Sequence, residues 1–199
     1  MKVVLFGGFL GSGKSSLIIK LVETLSGPGV GVIVNEVGEV GVDGFVMNEY
    51  GLKVKEIAGG CVCCQVTGEL SSTLRTMNDD LALDLILVEA TGVAVPELIV
   101  KNLEHTDFKG QIMSVTVFDA SRLELLSGEN GPVRLIERQI AYCDLLLVNK
   151  KDLVPPEMLR EAVQAVKKVN PGASLIDTTC HDPGDAEKLN EAITDFFKQ

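Results

Sequence analysis

The chain of 199 residues has little positive charge and no long apolar segment. Its 18 Lys and Arg stand against 28 Asp and Glu, for a formal net charge of −10. Such an acidic protein repels phosphate backbones, which argues against nucleic-acid binding. No segment reaches the roughly 18 uninterrupted apolar residues of a membrane span. The apolar start has no small-residue cleavage site before its glycine-rich loop, which argues against a signal peptide. We therefore expect a soluble, cytoplasmic protein without a membrane partner.

Histidine is scarce and the cysteine count is odd. There are two histidines, His105 and His181, and five cysteines, of which three cluster at Cys61, Cys63 and Cys64. An odd number of cysteines in a cytosolic chain argues against a disulfide framework. Metal binding or redox chemistry is the better use of such a cluster.

Apolar, β-branched runs alternate with amphipathic stretches along the whole chain. This alternation predicts βαβ units, and the runs are apolar without a period of two, as in strands buried on both faces. We expect an α/β fold of the three-layer P-loop NTPase type, with a mostly parallel sheet, helices on both faces and a single domain over residues 1–199. Strands are predicted at 3–6, 30–34, 83–88, 112–118, 145–149 and 174–178, helices at 14–25, 67–81, 95–103, 133–142, 156–169 and 185–197, and a short hairpin at 44–57.

Residues 7–16 read GGFLGSGKSS and follow the first predicted strand. Gly8, Gly13, Lys14 and Ser15 fill the spacing G-x-x-x-x-G-K-[ST] of a phosphate-binding loop. Glycines let successive N–H groups turn toward one anion, and the helix start adds its positive end. Lys14 is expected to reach the β- and γ-phosphates and Ser15 to ligate Mg²⁺. The predicted triphosphate contacts are Gly8, Gly11, Ser12, Gly13, Lys14, Ser15 and Ser16.

A second nucleotide signal stands at the end of the strand predicted at 145–149. Asn149, Lys150 and Asp152 fit the pattern N-K-x-D. The Asp152 carboxylate can accept hydrogen bonds from N1–H and the exocyclic amino group of guanine, two donors that adenine lacks there, so the pattern favours GTP or GDP over ATP. Residues 178–182 are expected to form a further rim of the base site.

The strand predicted at 83–88 is followed by Glu89-Ala90-Thr91-Gly92. A carboxylate at this strand end can hold the Mg²⁺ shell or the attacking water. Gly92 permits close approach of the backbone to the γ-phosphate. We assign catalytic roles to Lys14, Glu89 and Gly92.

Residues 35–43, NEVGEVGVD, are either a loop that switches between nucleotide states or a solvated turn.

The cysteine cluster has three thiols within four residues, which suits a soft or borderline ion, Zn²⁺ first, with Co²⁺, Ni²⁺ or Cu⁺ as alternatives. Glu36, Glu39, His105 or a ligand from a client protein is a candidate for the fourth position. Redox and structural roles are the rival interpretations of the cluster. The metal-ligand candidates are Ser15 for Mg²⁺, and Glu36, Glu39, Cys61, Cys63 and Cys64 for a transition metal.

The remaining cysteines and histidines are given plainer roles. Cys143 is expected to be a buried small hydrophobe. Cys180 and His181 are interpreted as packing at the nucleotide site rather than as metal ligands, and His105 as a helix cap at the surface.

Together, GGFLGSGKSS, VNEVGEVGVDG, GGCVCC, VEATGVAVPE and NKKD resemble the GTPase domain of the CobW-type metallochaperones, within the P-loop GTPases that serve metalloenzymes. The resemblance implies GTP hydrolysis coupled to delivery of a transition metal to a client metalloprotein or cofactor-synthesis pathway. It places Cys63, Cys64 and the loop glutamates near that metal, and implies that a homodimer forms in a nucleotide-dependent way.

Three features depart from this group. We expect these residues to hold no second, C-terminal client domain, they contain no histidine-rich run, and they read ATG where the group often has TSG or CTG. The expected function is a Mg²⁺-dependent GTPase that couples its nucleotide state to metal delivery. The alternative is a GTP-driven regulatory switch or activator of a corrinoid or other metalloenzyme, with the cysteines as a structural zinc site. Arg122 and Arg134 are present, but no spacing identifies either of them as an arginine finger.

Overall fold

The computed structural model describes residues 1–25, 29–36, 53–58, 66–81, 83–127 and 131–198. Within them, seven strands form one sheet in the order β3-β2-β4-β1-β5-β6-β7. Every neighbouring pair is parallel. The strands are β1 (Lys2–Gly7), β2 (Val30–Glu36), β3 (Lys53–Ala58), β4 (Leu85–Glu89), β5 (Gln111–Asp119), β6 (Leu145–Asn149) and β7 (Ser174–Asp177).

Six helices and two short 3₁₀ segments lie in the described parts of the chain. The helices are α1 (Lys14–Thr24), α2 (Val66–Leu81), α3 (Pro96–Glu104), α4 (Gly131–Ala141), α5 (Pro156–Val169) and α6 (Pro183–Phe196). The 3₁₀ segments are Ala120–Leu126 and Lys151–Leu153.

The sheet is covered on both faces, which explains its apolar strands. On β1, Val4 and Phe6 pack with α1 and α6, whereas Val3 and Leu5 pack with α2 and α3. Farther along the sheet, α4 and α5 cover β6 from the second side, where Ile140 packs among the buried side chains. Because no strand of this central region faces water, its strands are mostly apolar, and the polar Ser114 and Thr116 of β5 are themselves buried. The predicted three-layer α/β fold is confirmed.

The segment Lys53–Ala58 forms a strand that is not among the six strands predicted from the sequence. It lies at the sheet edge as β3 and pairs in parallel with β2, with Gly31 opposite Lys53. The hairpin predicted at 44–57 included most of this segment, and the rest of that hairpin falls outside the described residues. The sequence KVKEIA alternates polar and apolar residues only over its first three positions, which is a weak strand signal, and its partner strand is set by the tertiary fold.

The parallel arrangement brings five strand ends to one edge of the sheet. Gly7, Glu36, Glu89, Asp119 and Asn149 are the last residues of β1, β2, β4, β5 and β6. Ligands of open α/β sheets bind at the carboxyl ends of the strands, so this edge positions the candidate site. None of the helices in the described ranges combines the length and apolar character needed to cross a membrane.

Candidate nucleotide site

The loop between β1 and α1 depends on glycines with left-handed backbone angles. Gly8 has φ of +135° and Gly13 has φ of +96°. A Cβ at Gly8 would lie 2.3 Å from the Val117 carbonyl oxygen, and one at Gly13 would lie 2.4 Å from Asn149 Nδ2. The loop therefore packs directly on β5 and β6, and side chains at these two positions would displace it.

The Lys14 side chain folds back across this loop. Its Nζ donates hydrogen bonds to the carbonyl oxygens of Gly8, at 3.0 Å, and Phe9, at 3.4 Å. Lys14 is 7% exposed. Burial lowers the pKa of Lys14, and the negative charge of Glu89 partly opposes that effect. The ammonium group is thus held inside the curve of the loop, where phosphate oxygens bind in P-loop proteins.

Ser15 and Glu89 meet at the start of α1. Ser15 Oγ donates to Glu89 Oε1 over 2.8 Å, and Glu89 is buried. The contact forms because β4 lies beside β1, with Glu89 in register with Phe6. A hydroxyl and a carboxylate side by side are hard oxygen donors of the kind Mg²⁺ prefers, so this pair fits a magnesium site.

Gly92 lies against the phosphate loop. A Cβ at Gly92 would come within 2.6 Å of the Leu10 side chain and 2.8 Å of its backbone nitrogen. The turn that carries Gly92 is held by Gln139 of α4, whose Nε2 donates to the carbonyl oxygens of Gly92, at 3.2 Å, and Ala94, at 2.7 Å. Gln139 was not predicted as a site residue. Its signal in the sequence is a glutamine within the apolar stripe of a helix, between Ile136 and Ile140.

The predicted base-reading residues lie beside the same loop. Asn149 Nδ2 donates to the Ser12 carbonyl oxygen over 2.8 Å. Lys150 has a left-handed backbone, with φ of +64°. A hydrogen bond from the Thr179 side chain lowers the pKa of Asp152, which is exposed. The backbone of Lys151 donates to the Thr178 carbonyl oxygen over 3.2 Å, so residues 178–182 adjoin the N-K-x-D loop.

Two charged residues that the sequence did not identify, Asp119 and Asp185, support this region. Asp119 is 5% exposed and accepts from Lys150 Nζ over 2.7 Å. As a carboxylate at a strand end, it carries the same sequence signal as Glu89. Asp185, in the first turn of α6, accepts from Lys151 Nζ over 2.7 Å and from the Thr179 backbone over 2.9 Å. No pattern in the sequence indicates that role.

Arg122 lies beside the phosphate loop, a position that its spacing in the sequence did not predict. Its Nη1 donates to the Leu10 carbonyl oxygen over 3.2 Å, at the outer side of the phosphate loop. Arg134 instead lines a groove between α4 and α5 with Tyr142 and Lys168.

The structure does not bear on the predicted transition-metal site. Glu39, Cys61, Cys63 and Cys64 lie outside the described residues, and of Glu36 only the backbone is described, as the end of β2. In the described ranges, no group of three or more His, Cys, Asp or Glu side chains is arranged to hold a metal ion.

His105 and Cys143 follow the plainer interpretation. His105 is the C-cap residue of α3, with Nδ1 at 2.7 Å from the Lys101 carbonyl oxygen. Burial raises the pKa of the Cys143 thiol to about 11. Cys180 is half-buried and packs against the core formed with α1 and α6.

A family model decides the relationship of this chain to known proteins. The model of the CobW/HypB/UreG nucleotide-binding domain matches residues 2–177. The chain belongs to this family. The resemblance seen in its motifs is therefore confirmed, and so is the P-loop fold that it implies.

Named relatives support the same family. The zinc-regulated GTPase metalloprotein activator 1 of Schizosaccharomyces pombe is 30% identical over 188 residues, which is 89% of this chain and 45% of that protein. The zinc chaperone YeiR of Escherichia coli K12 is 31% identical, over 94% of this chain and 57% of that protein. The chain spans about half the length of the curated relatives it matches.

Solved structures show the fold. The crystal structure of HypB from Helicobacter pylori in complex with nickel has a TM-score of 0.72 and 16% sequence identity. The match covers 97% of this chain and 85% of the HypB chain.

Proposed function

We propose that this domain is a Mg²⁺-dependent GTPase whose nucleotide state controls the binding and release of a transition metal. The observation that supports GTP binding and hydrolysis is that Glu89 and the N-K-x-D motif both contact the phosphate loop. Ser15 contacts Glu89, and Asn149 contacts Ser12 from the other side. A site with a phosphate cradle, a strand-end carboxylate and a base-reading loop has the parts that GTP hydrolysis needs.

Guanine recognition is assigned to Asp152. Its carboxylate is exposed and its pKa is lowered by the Thr179 hydrogen bond, so it is ionised at neutral pH and available as a double acceptor. Lys150, held by Asp119, supplies an apolar stem to pack on the base. Asn149 ties the base-reading loop to the phosphate loop.

The hydrolytic roles follow from the contacts at the phosphate loop. Ser15 and Glu89 would hold Mg²⁺, and this ion would neutralise phosphate charge when bound. Lys14 exchanges its carbonyl partners, Gly8 and Phe9, for the β- and γ-phosphate oxygens. Glu89 also orients the attacking water, and the Gly92 backbone approaches the γ-phosphate.

The metal cargo is assigned to Cys61, Cys63 and Cys64, with Glu36 and Glu39. Zinc is proposed first because relatives are named zinc chaperones, with Co²⁺ and Ni²⁺ as alternatives. The nucleotide site and the proposed metal site can be coupled over a short distance, since β2 pairs with β4 and Val34 is in register with Glu89. The chain leaving β2 at Glu36 therefore starts close to the proposed γ-phosphate position, and loop ordering by GTP would alter the metal site.

Two further expectations belong to this proposal. The recipient of the metal is a client metalloprotein or a cofactor-synthesis protein, and a homodimer forms when nucleotide is bound. Residues 1–199 are proposed to act as one GTPase domain.

A regulatory switch is the second candidate function. It is favoured by the relative named a metalloprotein activator. In that case, the cysteines hold a structural zinc ion. Structural zinc resists mild chelation in both nucleotide states, whereas delivered zinc becomes labile in one of them.

The deciding experiment titrates purified protein with Zn²⁺, Co²⁺ and Ni²⁺, with and without a non-hydrolysable GTP analogue. The wild type is compared with the double variant Cys63→Ala/Cys64→Ala, and Cys180→Ala serves as a thiol control. We expect the double variant to lose metal affinity while it retains GTP binding. GTP must change metal affinity by the same factor as metal changes GTP affinity. Unchanged metal affinity in the double variant would refute the metal assignment.

A further inference from the structure

The side chain of Gln139 reaches from α4 to the turn that carries Gly92. Gln139 is 2% exposed, and its Nε2 donates to the carbonyl oxygens of Gly92 and Ala94 over 3.2 and 2.7 Å. A buried amide N–H group is costly unless it is hydrogen-bonded, so the Gln139 side chain needs the carbonyl groups of the turn as acceptors.

Gln139 is itself held by rigid elements. Thr116, in the centre of β5 and 1% exposed, donates from Oγ1 to the Gln139 carbonyl oxygen over 2.7 Å. On either side of it, Ile136 and Ile140 are buried in the core. Because helix and strand fix the base of the side chain, its amide end can act as a fixed support.

The turn supported by Gln139 contacts the phosphate loop. Gly92 lies against Leu10, with too little space for a Cβ. Gln139 also borders the loop directly, since it lines a cavity of about 10 Å³ together with Leu10 and Ser12. As Gly92 has no side chain and wide backbone freedom, the hydrogen bonds to the Gly92 and Ala94 carbonyl oxygens hold the turn in its orientation.

We propose that Gln139 is a positioning residue that presents the Gly92 turn to the γ-phosphate, and thereby sets the preference of the site for GTP over GDP. The proposal rests on the GTPase function proposed above. GDP has no γ-phosphate, so the orientation of the turn matters little for GDP binding. A support that acts only on the γ-phosphate contact must therefore change the affinity ratio of the two nucleotides.

The test compares affinities for GTPγS and GDP, each with Mg²⁺, in the wild type and Gln139→Met. Methionine has a similar length but no N–H donor, so both carbonyl groups lose their partner. We expect affinity for GTPγS to fall about tenfold and affinity for GDP to stay unchanged. Gln139→Asn, whose amide is one methylene too short for both contacts, is expected to lower the ratio in the same direction, and it serves if the methionine variant does not fold.

Asn170 provides the matched control. It is also a buried amide whose Nδ2 donates to two carbonyl oxygens, those of Ile140 at 2.8 Å and Cys143 at 3.1 Å, beyond the end of α5. Asn170→Leu is expected to lower the melting temperature and leave the ratio of GTPγS to GDP affinity unchanged.

Equal weakening of both nucleotides by Gln139→Met, as for a purely structural residue, would overturn the positioning role. A wild-type protein that prefers GTPγS, with the same ratio in both Gln139 variants, would refute this inference alone. A wild-type protein that binds neither nucleotide would refute the proposed function and the inference with it.

Discussion

Lys150 Nζ lies 2.7 Å from Asp119 Oδ2, which ties the cation of the N-K-x-D motif to the end of the neighbouring strand. The pair forms because Asp119 and Asn149 are in register between β5 and β6. Asp119 also accepts a hydrogen bond of 2.9 Å from the Ser121 backbone, which fixes its carboxylate. The lysine stem is therefore held in one direction before any nucleotide binds.

Asp119→Asn is expected to weaken binding of GTP and GDP to a similar extent, about fivefold, because the lysine is no longer oriented by a buried charge. Nucleotide titration of the purified variant measures this loss. Asp144→Asn is the control, since Asp144 Oδ2 accepts from the Ser114 backbone over 2.7 Å before the start of β6, at the opposite sheet edge. Wild-type affinity in Asp119→Asn would show that the ion pair does not position the lysine.

Asp152→Asn is expected to lower GTP affinity about a hundredfold and to remove the preference over ATP, because a charged double acceptor becomes a donor and an acceptor. The same change should improve binding of xanthosine triphosphate, whose base has a carbonyl oxygen where guanine has an amino group. Competition titration with the three nucleotides measures both effects. Equal affinity of the wild type for GTP and ATP would contradict the assignment of guanine specificity.

Glu89→Gln keeps the size of the side chain and an acceptor for Ser15, whose hydrogen bond spans 2.8 Å, but removes the charge. The turnover number for GTP is expected to fall about a hundredfold, and the Mg²⁺ concentration for half-maximal activity to rise. Glu97→Gln, in the first turn of α3, is the control for loss of one negative charge. Full activity in Glu89→Gln at low Mg²⁺ would exclude both proposed roles.

Asp185→Asn tests whether the contacts of Asp185 with Lys151 and the Thr179 backbone, beside the N-K-x-D loop, stabilise the folded protein. Asp185 is 1% exposed; burial alone would raise its pKa, but hydrogen bonds from Lys151, the Thr179 backbone and Lys188 outweigh burial and lower it. A lowered pKa means that the ionised carboxylate stabilises the folded state above the usual aspartate range, and that this contribution is lost as pH falls through the lowered pKa.

At pH 7, Asp185→Asn should therefore reduce the free energy of unfolding by about 2 kcal/mol. The difference from wild type should shrink in acid, below about pH 4. Urea unfolding of the wild type and the variant, at pH 7 and below about pH 4, measures this difference in the free energy of unfolding. Asp195→Asn, which removes an exposed partner of Lys198, should have little effect at either pH. A difference for Asp185→Asn that grows in acid would contradict the assigned direction of the pKa shift.

The strands, the helices and the two nucleotide motifs could be predicted because their signals are local. The phosphate loop needs glycines at particular positions between a strand and a helix, and the run of residues 7–16 meets that need within ten positions. Asn149 and Asp152 stand at a strand end for the same local reason. Most of β3 lies within the predicted hairpin at 44–57, but its parallel pairing with β2 could not be predicted, since a short segment can pair with whichever strand edge the fold offers.

The supporting contacts could not be predicted in this way, because they join residues far apart in the chain. Gln139 and Gly92 are 47 positions apart, and Lys150 and Asp119 are 31 apart. Which side chains meet depends on the order of strands in the sheet and on which helix covers which face, and no local pattern encodes either.

The amino-acid spacing alone therefore established a phosphate loop, a guanine-type motif and the family resemblance, since these depend on short segments whose backbone geometry is nearly independent of the rest. The tertiary structure decided that Ser15 meets Glu89, that Asp119 and Asp185 brace the N-K-x-D loop, and that Gln139 holds the Gly92 turn. Those contacts exist because parallel pairing brings the strand ends to one edge, where side chains distant in sequence lie within hydrogen-bonding distance.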